Sequence, residues 1–277
     1  MNKLAKLTKV VGTIAGNPKS LARVLLDPEE LAFRNRVDRA YGLGNGLPSI
    51  DLLDLAPELD ETVSPYCFMN GSSRTVDLAL LKALARKFDR CRYLEIGTLR
   101  GESIVNVAEI ADECVSVSLS DDDMKQRGWP ENYLKNNGFF LENIPNVKRI
   151  GHDSSTFDFS KLGKFDFVFV DGDHSYEGVV ADTRSAFSVL RNENSIIVWH
   201  DYGMEYEAPR WSVMAGILDA APPQERSRVY HVSNTLCAIY TRQSFATSFM
   251  VHPVVPTKVF KVRVSAARLS STDVVER

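Results

Sequence analysis

The sequence predicts an α/β protein built on a doubly wound, mostly parallel sheet of seven strands, preceded by an N-terminal helical extension. Two observations carry that prediction. From about Arg74 onward, strand-like apolar runs alternate with segments of helical periodicity, the signature of β-α-β units and a parallel sheet. The first of these strands then runs into a glycine turn, Gly97 and Gly101, at the point where a helix begins.

The chain has 277 residues, of which 44% are hydrophobic and 25% charged, an ordinary globular composition that excludes disordered, collagen-like and disulfide-scaffold proteins. Its 33 Lys and Arg nearly balance 36 Asp and Glu, for a net charge of -3, so there is no basic excess to recommend a nucleic-acid partner. Cys67, Cys91, Cys114 and Cys237 are widely spaced and form no C-x-x-C or zinc-type pattern, which reads as reduced thiols. With no apolar run near the ~20 residues that span a bilayer and no clean signal-peptide core, the expected location is the cytoplasm.

Along the chain, Met1–Arg23 carries five basic and no acidic residues, with Leu4, Leu7, Val10 or Val11 and Ile14 at helical spacing. A basic amphipathic helix results, which packs on the protein or a partner subunit, or lies on an anionic surface. Asp27-Pro28-Glu29-Glu30 starts a second helix running to about Tyr41. Gly42–Pro65 is rich in Gly and Pro and reads as a linker or lid, with Tyr66, Phe68 and Met69 in the segment that would close over a substrate. An amphipathic helix follows from Arg74 to Lys87. Predicted strands are Arg92–Ile96, Cys114–Leu119, Val147–Gly151, Phe165–Val170, Ser195–Trp199, Ser227–Val232 and Leu236–Tyr240. Helices are predicted at Glu102–Ile110, Glu131–Asn136, Tyr176–Leu190 and Trp211–Ala220. The division is residues 1–64 as extension and lid, 65–245 as the main domain and 246–277 as a tail.

In such a sheet, ligands bind beyond the carboxyl ends of the strands, near the switch in strand order. After the first strand comes Glu95-Ile96-Gly97-Thr98-Leu99-Arg100-Gly101-Glu102-Ser103. Glycines at 97 and 101 let the backbone approach a ligand, and the helix beyond points free N–H groups at it. Leu99 stands where the dinucleotide fingerprint needs its second glycine, which disfavours a nicotinamide or flavin enzyme.

This E-x-G-x-x-x-G element resembles motif I of the class I S-adenosylmethionine (SAM) dependent methyltransferases, which have a Rossmann-like fold. The resemblance implies that Glu95 fixes the loop, that Gly97, Thr98 and Gly101 wrap the methionine part of SAM, and that Ser103 meets its carboxylate. Ser118 stands where the family usually has an acidic residue for the ribose hydroxyls, and Asp121 follows closely as an alternative partner. Gly151-His152-Asp153-Ser154 resembles the family's G-D-S element, which implies that Asp153 and Ser154 lie at the adenine, Asp153 on its amino group.

The densest signal is Val170-Asp171-Gly172-Asp173-His174 together with Trp199-His200-Asp201. Successive strands deliver Asp171, His174, His200 and Asp201 to one sheet edge, and neighbouring strands lie about 4.8 Å apart, so the four can converge on a metal-sized site. Carboxylates with imidazole suit Mg²⁺, Mn²⁺ or a similar divalent ion. The block resembles the macrocin O-methyltransferase-like, metal-dependent branch, related to the cephalosporin-hydroxylase-like proteins. That resemblance implies Asp171 and Asp201 as metal ligands, with His200 in place of the usual Glu, and His174 as general base.

The expected function is therefore metal-assisted methylation of a hydroxyl on a sugar, glycosylated metabolite or other small polyol. No nucleic acid or membrane partner is expected, and a homo-oligomer is allowed. A catalytically silent scaffold of the same fold and a nucleotide-dependent oxidoreductase are the alternatives.

Overall fold

The computed structural model describes Gly12 and residues 28–269. The predicted basic helix and Asp27 lie outside the described residues, apart from Gly12.

Helix α1 (Pro28–Tyr41) begins at a proline with Glu29 and Glu30 in its first turn, where acidic side chains oppose the helix dipole. A short strand β1 (Ser49–Ile50) and a single turn α2 (Leu52–Leu55), capped by Asp51, follow. Helix α3 (Thr75–Ala85) then leads into the alternating body: β2 (Arg92–Ile96), α4 (Glu102–Ala108), β3 (Glu113–Ser118), α5 (Asp121–Gln126), α6 (Glu131–Asn136), β4 (Val147–Gly151), β5 (Phe167–Val170), α7 (Tyr176–Ser188) and β6 (Ile196–Trp199). A small hairpin, β7 (Gly203–Glu205) and β8 (Ala208–Pro209), precedes α8 (Trp211–Ala220), and the chain finishes with β9 (Val229–Val232), β10 (Ala238–Tyr240) and β11 (Thr247–Ser248).

The main sheet has nine strands in the order β11-β1-β9-β10-β6-β5-β2-β3-β4, two more than the sequence predicts. The seven predicted strands are all present and form its contiguous body. Here β2 pairs in parallel with both β3 and β5, β6 continues in parallel from β5, and β10 runs antiparallel between β6 and β9. This is the strand order of the class I methyltransferase fold. The two extra strands are β1, parallel to β9, and β11, antiparallel to β1. Each has two residues, too short to leave a periodic trace. Between them they bring Ser49–Ile50 and Thr247–Ser248 onto the sheet edge, and Lys258 Nζ reaches Asp51 Oδ2 at 2.7 Å.

Alternation along each strand splits the core into two layers. Leu94, Ile96, Val168, Val170 and Ile197 face α1, α7 and α8, whereas Tyr93, Phe167, Phe169 and Val198 face α3 and α4. Strands with both faces covered must be apolar throughout, which is why the runs in β5 and β6 are continuous. Helix α5 is not among the helices that the sequence predicts: Ser120 caps it, accepting from Asp123 N while Asp123 accepts from Ser120 N, and this reciprocal capping explains the acidic run at 121–123. No helix among the described residues is long and apolar enough to cross a membrane.

Candidate active site

The switch in strand order falls between β2 and β5, where the chain moves outward to β3 and β4 and then returns. A cavity of about 740 Å³ opens there. Apart from Gly71–Ser73, its lining comes from the end of β3, the loops after β2, β3, β4 and β5 and the elements these lead into, so that Asp171 and His174 line it whereas His200 and Asp201 do not.

Gly97 adopts φ +88°, and a Cβ at that position would lie 2.3 Å from the Asp171 carbonyl oxygen. The two loops touch so closely that only glycine fits. Glu95, fully buried beneath the loop, accepts from Thr98 Oγ1 at 2.6 Å, Ser103 Oγ at 2.9 Å and Tyr93 Oη at 2.9 Å. Burial pushes its carboxyl up to about 7 even though these donors favour the charged form. Gly97, Thr98, Gly101 and Ser103 line the cavity, while Glu95 supports it from below.

Ser118, Asp153 and Ser154 also line the cavity. Ser118 Oγ is buried with no hydrogen-bond partner. Asp153 is already engaged: Oδ1 accepts from Ser155 N and Oγ, and Oδ2 from Arg127, which together hold its carboxyl below the usual range. Asp121 stands outside the lining, exposed at the start of α5, where it accepts from Asn137 Nδ2 at 2.6 Å.

At the other end of the cavity, Asp171 and His174 meet His200 and Asp201. His200 Nδ1 lies 3.2 Å from Asp171 Oδ1 and 3.4 Å from Asp201 Oδ1. His174 Nε2 lies 3.0 Å from Asp201 Oδ2 and 3.5 Å from Asp171 Oδ1. Both ring nitrogens are buried but out of line for a hydrogen bond to these carboxylates. One ligand atom each from Asp171, His200 and Asp201 fall within 4.8 Å of one another. Neighbouring ligands of an octahedral ion at about 2.1 Å sit about 3 Å apart, so an unpartnered nitrogen between two carboxylates fits a small divalent cation.

The charges in this cluster hold one another. Burial alone would lower the His200 pKa, but Asp171, Asp201 and Asp77 raise it well above the ordinary value. Burial would likewise raise Asp171, yet His200 and His174 bring it below the usual carboxylate range. For His174, burial is outweighed by Asp171 and Asp201, and the net shift is upward.

Several contributors were missed by sequence reasoning. Asp77, fully buried on α3, places Oδ2 3.1 Å from His200 Nε2 and accepts from Leu236 N and Arg74 N. Asp182 on α7 lines the cavity with neither carboxylate oxygen paired. The available signal was a carboxylate on an apolar stripe, Asp77 with Leu81 and Leu84, and Asp182 with Val179 and Ala186. Arg100 and Glu102 tie the rim segment to α4, Glu102 accepting from Cys67 N, Ser72 Oγ and Arg100 Nε. Within that segment Gly71–Ser73 line the cavity, whereas Tyr66, Phe68 and Met69 do not.

Residues 94–202 match the family model described as a methyltransferase domain. An uncharacterized protein of Acanthamoeba polyphaga mimivirus is 28% identical over 151 residues, covering 52% of this chain and 65% of that protein. Among solved structures, an O-methyltransferase from Bacillus cereus in complex with SAH is 16% identical, with 81% of this chain and 96% of that chain covered and a TM-score of 0.40. A SAM-bound amino pentose methyltransferase of Micromonospora echinaspora, involved in calicheamicin biosynthesis, is 17% identical, with 45% and 48% covered and a TM-score of 0.32. The chain thus spans less than two thirds of the mimivirus relative and about half of the Micromonospora enzyme. The family match runs from within β2 to just beyond β6, the stretch that contributes most of the cavity wall, and the strand order of the sheet is that of the class I methyltransferase fold.

Proposed function

We propose that the protein is a SAM-dependent O-methyltransferase that methylates a hydroxyl of a sugar or related small polyol with the help of a divalent cation. The observation that carries this reading is one cavity lined by a glycine cradle at Gly97–Gly101 and by Asp171 and His174, with His200 and Asp201 set directly against those two residues.

SAM supplies a methyl group on a sulfonium, transferred by in-line attack. Thr98, Gly101 and Ser103 would hold its amino-acid end, and Ser118, with its unpaired hydroxyl, its ribose. Asp171, His200 and Asp201 would hold the cation, which when bound supplies Lewis acidity that makes an alcohol easier to deprotonate. Mixed carboxylate and imidazole ligands suit Mg²⁺ or Mn²⁺.

The chain's own residues perform the rest. His174 keeps Nε2 within 3.5 Å of both Asp171 and Asp201, which leaves its other ring nitrogen, Nδ1, to accept the hydroxyl proton, and the two carboxylates would stabilise the imidazolium that results. Asp77 orients His200 from behind, as metal-bound histidines commonly require. The Glu102 and Arg100 knot holds Gly71–Ser73 at the rim, which limits water access.

The test is a calorimetric titration with SAM, with and without Mg²⁺ or Mn²⁺, followed by SAH release over a panel of sugar acceptors. Micromolar SAM binding and metal-dependent SAH release are expected. Absence of SAM binding under every metal condition would point to a silent scaffold instead.

A further inference from the structure

Asp182 is a buried carboxylate in the cavity wall, beside Ser154 and within electrostatic reach of Asp153, the two residues that the family resemblance assigns to the adenine. It is 1% exposed, both oxygens lack a hydrogen bond, and it lines the cavity. It projects from the inner face of α7 beneath the turn after β5, so close that a Cβ on Gly172 would lie 2.6 Å from its Oδ2. An unpaired carboxylate in such a place costs stability, and burial pushes its pKa up to about 6 despite the adjacent Ser154 side chain.

The surrounding wall suits a flat base with an amino group. Met124 and Trp129 supply apolar and aromatic surface in the same lining, and aromatic faces stack on heterocycles. Asp153, which the family resemblance assigns to the adenine amino group, has Oδ1 taken by Ser155 and Oδ2 by Arg127. Asp182 is the carboxylate of this wall with its acceptor capacity unspent.

We infer that Asp182 is the residue that accepts the hydrogen bond of the adenine exocyclic amine, and that it sets the preference for an adenine nucleoside. This rests on the SAM-dependent reading above. A charge-assisted hydrogen bond in a dry site is among the stronger polar contacts, and a site built for an N–H donor rejects analogues that lack it.

The experiment compares binding of SAH with two analogues, one carrying hypoxanthine in place of adenine and one carrying unsubstituted purine. Calorimetry is run on wild type, Asp182→Asn and Asp153→Asn. Wild type should prefer SAH over both analogues by about 10-fold or more. Asp182→Asn, whose amide can donate to the 6-oxo group, should weaken SAH by a similar factor and narrow or reverse its preference over the hypoxanthine analogue. Should the asparagine variant fail to fold, the smaller Asp182→Ser variant replaces it, with loss of discrimination expected.

Equal wild-type affinity for SAH and the purine analogue would overturn the inference without any variant. So would discrimination lost in Asp153→Asn but kept in Asp182→Asn. A wild-type protein that binds none of the three compounds would instead overturn the SAM-dependent reading, and this inference with it.

Discussion

Asp77 and His200 are coupled through a buried contact of 3.1 Å between Asp77 Oδ2 and His200 Nε2, and this leaves His200 Nδ1 facing Asp171 and Asp201. A helix that contributes nothing to the cavity wall thereby decides which imidazole nitrogen the proposed cation site receives.

Replacing Asp77 by asparagine should therefore weaken Mn²⁺ binding by about 10- to 100-fold, the usual cost of losing a partner behind a metal-bound histidine. Titration with Mn²⁺ followed by electron paramagnetic resonance checks this. SAM affinity measured without metal should change far less, since Asp77 is absent from the cavity lining.

His174→Ala should lower turnover by about 10²- to 10⁴-fold, the range that a positioned general base contributes, while SAH binding stays within a few-fold of wild type. Asp171→Ala should lose turnover and divalent-cation binding together, because Asp171 also belongs to the ligand set. SAH release and metal titration separate the two. Full turnover in both variants would end the proposed mechanism.

Gly97→Ala should cost more than about 2 kcal/mol of stability, because the residue keeps φ +88° and its new methyl would meet the Asp171 carbonyl at 2.3 Å. Urea unfolding gives the stability loss, and SAH titration should show binding abolished in whatever fraction folds.

His231 makes stability fall in acid. Nearly complete burial lowers its pKa to about 4, while it joins Ser49 Oγ on β1 at 2.8 Å to the Thr235 carbonyl at 3.2 Å. The ring is neutral in the folded state, so its contribution is complete above the unfolded value near 6.5. As pH falls from there toward 4, the unfolded chain takes up the proton first, and up to about 3 kcal/mol is lost. Urea unfolding at pH 7 and pH 4 should show this loss in wild type and a smaller one in His231→Gln.

Local patterns determined the alternation of elements, the seven body strands and the glycine turn at 97–101. Strands covered on both faces need unbroken apolar runs, and a backbone at positive φ needs glycine, so both requirements are written at consecutive positions. Asp171, His174, His200 and Asp201 were legible for the same reason: each follows a strand whose end the pattern marks, and neighbouring parallel strands bring their ends together. The tertiary structure alone decided what depends on distant packing. It brought Asp77 behind His200 across 123 residues of chain, turned Asp182 into the cavity, spent Asp153 on Arg127 and Ser155, and added β1 and β11 to the sheet edge. Their local sequence had only a carboxylate on an apolar stripe or a two-residue strand to offer, and neither says which partner will be waiting once the helices pack.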